Sequence, residues 1–389
     1  MRILLLGDLP PFVLGGAERQ VLLLAKAWME AGHDVLVLGH RTPTGIHEGV
    51  PARRIGVAYR IGRLVRGITF GLSLGLNLLR ERRRTDVIYC RILGEAAVVT
   101  TMLKAAGLLA TPLVVAPAAS GEGAHSDLAR LRSSRFWPVL RVLLRREVQL
   151  FNAISPAIQE ELRAGGLGPV SVVANGVRLP SLPDARSAPA TPERFWLFCG
   201  RFVQQKGADL LLEAMALPES GNLRLLLAGE GPEEEALRAA SERLGLSKRV
   251  SFLGRLSHPQ LLDAMQRAYA LVLPSRYEGL SNAALEALGA GLPVLSTRCG
   301  GIDAYLGDGI GWVCETTPAS LAATLGNAAS IPGTEWEERS RRSRDLAERT
   351  FGIRRCAAEH LALFERLARE RTPAPADTPR DNPPASSPR

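Results

Sequence analysis

Short apolar runs alternate with amphipathic segments along almost the whole chain. In the first half, six apolar runs predict strands, and amphipathic stretches at residues 17–31 and 136–149 predict two of the helices between them. Runs that are this short and this continuously apolar are typical of strands covered by helices on both faces. The predicted strands are residues 2–7, 34–38, 86–90, 113–116, 150–154 and 170–173.

The second half repeats this alternation, and a glycine-bearing turn follows each apolar run. Its predicted strands are residues 195–199, 223–228, 250–253, 270–273, 293–296 and 312–314. Two successive β/α arrays predict an α/β protein with two Rossmann-like, doubly wound parallel-sheet domains. A segment rich in Pro, Ser and Ala, residues 178–192, predicts a linker between a first domain at 1–177 and a second at 193–348. A helical stretch at 349–371 predicts a final helix, and the Pro/Ser/Asp-rich residues 372–389 predict a disordered tail.

Composition narrows the possible partners. The 389 residues carry a net charge of +9, which favours anionic partners such as nucleotide-sugars, acidic membrane surfaces or nucleic acid. Aromatic residues make up only 5%, and no nucleic-acid-binding module is recognisable, so nucleic acid is the weakest of these.

The five cysteines form no C-x-x-C pair, which favours reduced thiols in a cytoplasmic protein. The apolar start ends at Asp8 and predicts a strand rather than a secretory signal.

Two cations follow the first predicted strand of the second half. Arg201 comes directly after the strand, and Lys206 lies five residues further along a glycine-punctuated turn. Ligands of open α/β sheets bind beyond the carboxyl ends of the strands, and Arg and Lys there are suited to a diphosphate. A solvated basic turn would contain the same residues, so this segment alone leaves both interpretations open.

A more specific signal follows the predicted strand at 270–273. A glycine-containing loop leads into a helix, whose first amides and dipole can bind phosphate or developing negative charge. Glu278 lies at the mouth of this loop, and Glu286 lies about two helical turns further on, where a carboxylate can accept hydrogen bonds from a ribose. Carboxylates near a helix start are common, so the pair alone would not decide the function. The loop consists of Glu278, Gly279, Leu280, Ser281 and Asn282.

The order and spacing of these motifs resemble the GT-B glycosyltransferases of family four, the retaining group 1 glycosyltransferases, over nearly the whole chain. The remaining motifs that carry the resemblance are Gly15-Gly16-Ala17-Glu18-Arg19, Ile154-Ser155, Asn175-Gly176-Val177, Gly229-Glu230-Gly231-Pro232, Val250-Ser251-Phe252-Leu253-Gly254 and Gly289-Ala290-Gly291-Leu292-Pro293-Val294.

The resemblance implies a function and a role for each matching residue. Arg201 and Lys206 hold the donor diphosphate and stabilise it as a leaving group, Glu286 binds the ribose, and Glu278 faces the transferred sugar. The expected activity is a retaining hexosyl transfer from a nucleotide-diphosphate-sugar by front-face attack. The sequence contains no Asp-x-Asp pair, so we expect neither a metal nor another cofactor. The remaining donor-side candidates are Gly15, Gly16, Gly279, Leu280, Ser281 and Arg255, the last at the border of the base pocket.

The first half, expected to bind the acceptor, departs from the family pattern. Many members have a histidine directly after the strand that matches residues 113–116, whereas here the candidates lie on the following loop: Glu122, His125 and Asp127. The second half departs from the family at one donor-sugar contact: a family-like glutamate after Gly300-Gly301 is missing, and Asp303 stands nearby.

The first half is also rich in arginine, notably at 80–84 and along the amphipathic stretch 136–149. A basic amphipathic surface beside an acceptor cleft favours peripheral docking on an anionic membrane from the cytoplasmic side. The acceptor would then be lipid-linked or a precursor of a cell-envelope polysaccharide. A basic face that is merely solvated explains the arginines equally well.

Three other functions compete with transfer. A dinucleotide-dependent oxidoreductase requires G-x-G-x-x-G after a strand, but Glu234 stands where the third glycine belongs. A non-catalytic nucleotide-sugar-binding protein and a GT-B-type phosphorylase or epimerase would share the fold. The sequence leaves open the donor base and sugar, the acceptor, the linkage and the oligomeric state.

Overall fold

An eight-stranded sheet forms the first domain of the computed structural model, which describes residues 1–13, 15–59, 62–121, 126–181, 186–189, 194–307 and 309–371. Its strand order is β3-β4-β2-β1-β5-β6-β7-β8, and every neighbouring pair is parallel except β3–β4. The strands are β1 (Arg2–Leu6), β2 (Asp34–Gly39), β3 (Gly45–His47), β4 (Val50–Arg54), β5 (Val87–Arg91), β6 (Leu113–Ala116), β7 (Leu150–Ala153) and β8 (Val170–Val172).

Strands β3 and β4 are absent from the sequence prediction. Strand β4 contains Pro51 and ends in two arginines, and β3 is only three residues long, so neither forms an apolar run. They extend the sheet at one end, with β4 between β2 and β3, and β3 is the edge strand, where one side needs no partner and polar residues are tolerated.

Six helices cover the first sheet. Successive side chains of β1 point to opposite faces of the sheet and so belong to two hydrophobic cores. Leu4 and Leu6 pack with residues of α2 and α3, whereas Ile3 and Leu5 pack with residues of α1. The helices are α1 (Gly16–Glu30), α2 (Arg63–Glu81), α3 (Glu95–Ala105), α4 (Asp127–Arg132), α5 (Trp137–Glu147) and α6 (Pro156–Ala164).

The second domain contains a six-stranded, all-parallel sheet in the order β11-β10-β9-β12-β13-β14. Two doubly wound parallel sheets confirm the predicted fold class. The strands are β9 (Trp196–Cys199), β10 (Leu225–Ala228), β11 (Val250–Gly254), β12 (Ala270–Leu273), β13 (Val294–Thr297) and β14 (Trp312–Cys314). The helices are α7 (Ala208–Ala216), α8 (Glu234–Arg243), α9 (His258–Arg267), α10 (Asn282–Gly289), α11 (Pro318–Ala329) and α12 (Gly333–Leu346).

The last helix, α13 (Ile353–Arg371), returns to the first domain. A π-helical turn at Ala347–Phe351 precedes it, and backbone hydrogen bonds join Val177 to Phe351 and to Ile353. Phe364 of α13 then packs edge-on against Trp28 of α1 in the core of the first domain. Residues 182–185 and 190–192 of the predicted linker, residue 193 and the predicted tail at 372–389 lie outside the described residues.

All five cysteines are free thiols, and four of them are fully buried while Cys199 is half-buried. Burial raises the pKa of the Cys314 thiol to about 11 and that of the other four to about 12. These thiols therefore stay protonated at neutral pH, as the scattered cysteine pattern predicts. None of the described helices has the length and apolar content required to cross a bilayer.

Candidate active site between the domains

Both sheets have their topological switch point at the cleft between the domains. In the first sheet the strand order reverses around β1 and β5, and in the second around β9 and β12. Loops that leave the carboxyl ends of such strands form the ligand-binding crevice of open α/β sheets. Arg201 and Lys206 lie on the loop after β9, and Glu278, Gly279, Leu280 and Ser281 lie on the loop after the neighbouring strand β12, so the fold brings these two groups together.

Lys206 and Glu278 form an ion pair at this crevice. Nζ of Lys206 lies 2.7 Å from Oε1 and 2.6 Å from Oε2 of Glu278, and both side chains are largely buried. The loop after β9 therefore contacts the loop after β12 through opposite charges. Gly207 makes this approach possible, because its φ is +66° and a Cβ there would lie 2.0 Å from the carbonyl oxygen of Pro274.

Arg201 lies at the carboxyl end of β9 and is exposed. Its guanidinium takes part in no ion pair with the described part of the chain, so its charge is available to an anionic ligand. The turn that carries it is held by the amide of Phe202, which donates to the carbonyl of Glu230 over 3.0 Å. Arg255, in contrast, is paired, because its Nη1 lies 3.5 Å from Oε1 of Glu230 in an exposed ion pair.

Glu286 of α10 is bound by a residue of the other domain. An Nη atom of Arg19, on α1, lies 2.9 Å from Oε1 of Glu286, and the carboxylate is only 8% exposed. Burial raises the pKa of Glu286, and the Arg19 guanidinium opposes this shift. Arg19 also hydrogen-bonds the ring of His258 at the start of α9. The sequence motif that contains Arg19 gave no indication of this role.

The start of α10 contacts the first glycine loop directly. Asn282 donates from Nδ2 to the carbonyl of Gly16 over 2.9 Å, and Gln20 of α1 donates to Oδ1 of Asn282 over 3.0 Å. A Cβ on Gly16 would lie 3.1 Å from Nδ2 of Asn282, so the Asn282 side chain would have to shift by a few tenths of an ångström to accept it. The Gly15-Gly16 loop thus lies against the second domain, through contacts with Asn282 and Gln20 that were not predicted.

Loop backbones also meet across the cleft. Ser120 donates from Oγ to the carbonyl of Glu278 over 2.8 Å. A Cβ on Gly279 would lie 2.2 Å from the carbonyl oxygen of Ala118, so only glycine fits there without displacement of backbone. Leu280 and Ser281, the next two residues of this loop, are buried.

The acceptor-side candidates divide into two groups. Glu122 and His125 lie outside the described residues. Asp127 is buried at the start of α4, where it accepts hydrogen bonds from the amide of Ala118 over 2.8 Å and from Arg130 over 2.7 Å. Burial raises the pKa of Asp127, and these partners oppose the shift. Its contacts are those of a residue that supports the loop after β6. The carboxylate of Asp303 is likewise used within its own loop, where it accepts a hydrogen bond from the amide of Gly301 over 2.8 Å.

Two protein-family models match the two domains. The model of the Glycosyltransferase Family 4 matches residues 14–179, and the model of the Glycosyl transferases group 1 matches residues 184–344. Their common border lies within the predicted linker.

Sequence relatives and solved structures agree with these matches. The chain is 28% identical to a glycogen synthase of Mycobacterium tuberculosis, over 96% of this chain and 97% of the relative. It is also 28% identical to the 2-deoxystreptamine glucosyltransferase of Streptomyces kanamyceticus, over 75% of this chain and 81% of the relative. Among solved structures, HepE from Anabaena in complex with UDP has a TM-score of 0.75 at 21% identity, covering 94% of this chain and all of that one. The sucrose-phosphate synthase of Thermosynechococcus elongatus has a TM-score of 0.78 at 20% identity, covering 95% and 100%.

Proposed function

Because the chain belongs to the group 1 glycosyl transferases and has the GT-B fold, we propose that it is a retaining hexosyltransferase that needs no metal ion and takes its sugar from a nucleotide-diphosphate donor. The two family models confirm the group 1 glycosyltransferase family that the sequence motifs resemble. The observation that carries the proposal is the Lys206–Glu278 ion pair beside the unpaired Arg201, at the switch point of the second sheet.

Breaking a glycosyl-phosphate bond builds negative charge on the departing diphosphate. Arg201, Lys206 and the first amides of α10 place fixed positive charge and dipoles at the crevice, and such groups stabilise developing charge without reorganising. Lys206 would donate a hydrogen bond from its ammonium group to the diphosphate, while the ion pair with Glu278 keeps the Lys206 side chain in position. Glu278 would face the transferred sugar, and Glu286 would bind the ribose.

A non-catalytic binding protein, a phosphorylase or an epimerase could be built on the same fold. Transfer is favoured because Arg201, Lys206, Glu278 and Glu286 are all present, and three of them are already held by charged partners in the cleft. HepE binds UDP, which favours a uridine-based donor as the first to test.

The proposed activity predicts turnover in the presence of a metal chelator. We expect one of the UDP-, GDP- or ADP-sugars to raise the melting temperature, because a ligand that binds only the folded state stabilises it. With excess EDTA, that donor should still release its nucleotide and yield a glycoside with the donor's anomeric configuration, measured by proton NMR.

The chelator control is Mg²⁺ added back in excess over EDTA. Activity that appears only after Mg²⁺ is restored would contradict metal independence, and an inverted anomer would contradict retention. Binding of a donor without any release of nucleotide would favour the non-catalytic alternative.

The first domain also presents a surface suited to the proposed anionic membrane. Leu64, Ile68, Leu72 and Leu76 form a stripe along α2 at four-residue spacing, and each is between 51% and 77% exposed. Neighbouring α5 is flanked by exposed Phe136 and carries exposed Val139 and Val142. Exposed arginines border these side chains at 82–84, 141, 145 and 146. Exposed aliphatic residues together with arginines are typical of surfaces that lie on an anionic bilayer. A protein docked in this way would act at the cytoplasmic face of a membrane and take a lipid-linked acceptor.

We therefore expect the protein to sediment with phosphatidylglycerol vesicles and not with pure phosphatidylcholine vesicles. Leu72→Glu should weaken this binding about tenfold, because an aliphatic contact worth about 1.5–3 kcal/mol is lost and a negative charge is added. The matched control is Ile46→Glu, at an exposed aliphatic residue on edge strand β3. If the protein fails to bind acidic vesicles at low salt, or if both variants weaken binding equally, this surface is not the membrane contact.

A further inference from the structure

A second cavity lies in the first domain at the carboxyl ends of β1, β2 and β5. Its volume is about 420 Å³, and it reaches from Glu18, near the Gly15-Gly16 loop, to the start of α2. The cavity lies at the carboxyl ends of β1 and β5, the switch point of the first sheet, whereas Arg201, Lys206 and Glu278 lie on the second domain, so the second substrate of a transferase would bind here. Its walls differ in character, one being charged and the other apolar.

The charged wall contains an aspartate–histidine pair. Asp8, at the end of β1, is buried and accepts hydrogen bonds from the amides of Arg41 and Thr42 over 2.8 and 2.9 Å. Its other oxygen lies 2.9 Å from Nδ1 of His40. Burial alone would raise the pKa of Asp8, but His40 and these amides lower it to about 2. Asp8 is thus a permanent carboxylate that fixes the imidazole through Nδ1, and no described residue hydrogen-bonds Nε2 of His40.

Arg91, at the end of β5, adds a buried positive charge. Its side chain lines the cavity and donates to Oδ1 of Asn175 over 2.6 Å, and its Nε is buried without a partner. Within the described ranges Arg91 forms no ion pair. Its charge acts on Asp127 at a distance, but that carboxylate is bound by Arg130 and by the amide of Ala118. A buried guanidinium without a contacting carboxylate is costly unless an anion joins it.

The backbone next to Arg91 is strained at the same wall. Ile92 has a φ of +96°, which is rare for a β-branched residue, and it lines the cavity beside Gly94 at the start of α3. Such outliers occur mainly at binding and catalytic sites, where the surrounding structure maintains them. This observation is independent of the charges on the wall.

The opposite wall is apolar and partly aromatic. It is made by Ile55, Val57, Tyr59 and Phe70, and the ring centroid of Phe70 lies 6.1 Å from that of His40. A small hydrophilic sugar would leave most of this wall in contact with water. A ligand with a hydrocarbon part would cover it, which is favourable by about 25 cal/mol per Å² of apolar surface buried.

We propose that this cavity is the acceptor site and that the acceptor is an amphiphile, with a phosphate contacting Arg91 and His40 and a hydrocarbon part lying on Ile55, Tyr59 and Phe70. The proposal rests on the proposed transferase function and adds the substrate class. The acidic residues of the cavity do not oppose an anion there. Asp8 is paired with His40, Glu95 is paired with Arg66 over 2.9 Å, and the carboxylate of Glu18 is folded back against Gly15 at the donor end.

Three probes separate the parts of this proposal by isothermal titration calorimetry on the full chain. n-Octyl phosphate has both the anion and the tail, inorganic phosphate has only the anion, and n-octyl glucoside has only the tail with a neutral head. We expect n-octyl phosphate to bind about tenfold or more tightly than either of the others, because only it satisfies both walls. Equal binding of the two octyl compounds would overturn the phosphate site, and equal binding of the two phosphates would overturn the apolar one.

Two variants locate the binding. His40→Gln and Arg91→Gln should each weaken n-octyl phosphate binding about tenfold, since each removes one charge-assisted contact. Arg83→Gln, at an exposed arginine outside the cavity, and Ile46→Glu, on the exposed edge strand β3, are the matched controls and should bind as the parent does. If Arg91→Gln does not fold, His40→Gln still decides, because His40 is 37% exposed.

A titration with UDP, GDP and ADP on the same samples separates this inference from the proposed function. A nucleotide that binds normally to His40→Gln, with loss of n-octyl phosphate binding, supports an acceptor site distinct from the donor site. Unchanged n-octyl phosphate binding in His40→Gln, or its loss in Ile46→Glu, would overturn the inference while leaving the transferase function intact. Failure of every nucleotide to bind would instead count against the transferase function.

Discussion

Replacing Lys206 with alanine is expected to lower the rate of sugar transfer by about 10²–10³-fold, the usual loss when one donor of a site for developing negative charge is removed. Two effects combine. The ammonium no longer stabilises the departing diphosphate, and Glu278 loses the partner at 2.6 Å that fixes its carboxylate in the cleft. The carboxylate of Glu278, which faces the transferred sugar, would then carry an uncompensated negative charge in the crevice, and its repulsion of the departing diphosphate adds to the lost attraction.

The measurement is kcat and KM for the donor, together with the melting temperature. We expect the melting temperature to fall, since the largely buried carboxylate of Glu278 loses its partner, while the protein stays folded at the assay temperature. Arg201→Ala should give a comparable loss of rate, because its unpaired guanidinium is the second fixed charge at the end of β9. Lys248→Ala is the control, at an exposed lysine away from the cleft. Near-parental turnover in either Lys206→Ala or Arg201→Ala would remove the proposed mechanism.

The sequence predicts the fold well because both sheets are built from buried parallel strands. All twelve predicted strands are present, with ends that differ by at most two residues, as the runs at 113–116 and 270–273 illustrate. The two strands that were missed, β3 and β4, form an antiparallel pair that extends one side of the first sheet. The edge strands β8, β11 and β14 were found because each contains an apolar run, whereas β3 and β4 contain none, so local pattern detects a strand only where its residues are apolar.

The candidate site was predictable only in part, for a related reason. Arg201, Lys206, Glu278 and Glu286 stand at strand ends and at a helix start, positions that one domain alone defines. The contact between Arg19 and Glu286 joins residues 267 positions apart and depends on how the two domains meet. Likewise, no local signal connects Asp8 with His40, which become neighbours only because β1 pairs with β2.

Gly279→Ala is expected to lower kcat by about 10²-fold without unfolding either domain. A Cβ on Gly279 would lie 2.2 Å from the carbonyl oxygen of Ala118 and 3.4 Å from Cα of Ala119. Both atoms belong to the backbone of the first domain. Because no side-chain rotation can relieve this contact, the loops that carry Gly279 and Ala118 would have to move apart. A displacement of about 1 Å at a reacting centre is enough to cost about 10²-fold in rate. The φ of Gly279 lies outside the left-handed region, so alanine is compatible with the loop itself.

This prediction separates domain closure from donor binding. We expect Gly279→Ala to bind nucleotide with nearly parental affinity, because Arg201 and Lys206 are untouched, and to show a larger radius of gyration by small-angle X-ray scattering than the parent. Gly333→Ala is the matched control, since a Cβ at Gly333 meets no atom within 4 Å.

Parental turnover in Gly279→Ala would show that catalysis does not need the Gly279–Ala118 contact. A fall in melting temperature comparable to that of a core substitution would show instead that the loop supports the second domain. Loss of kcat with preserved nucleotide affinity is the result that links the close backbone contact to catalysis.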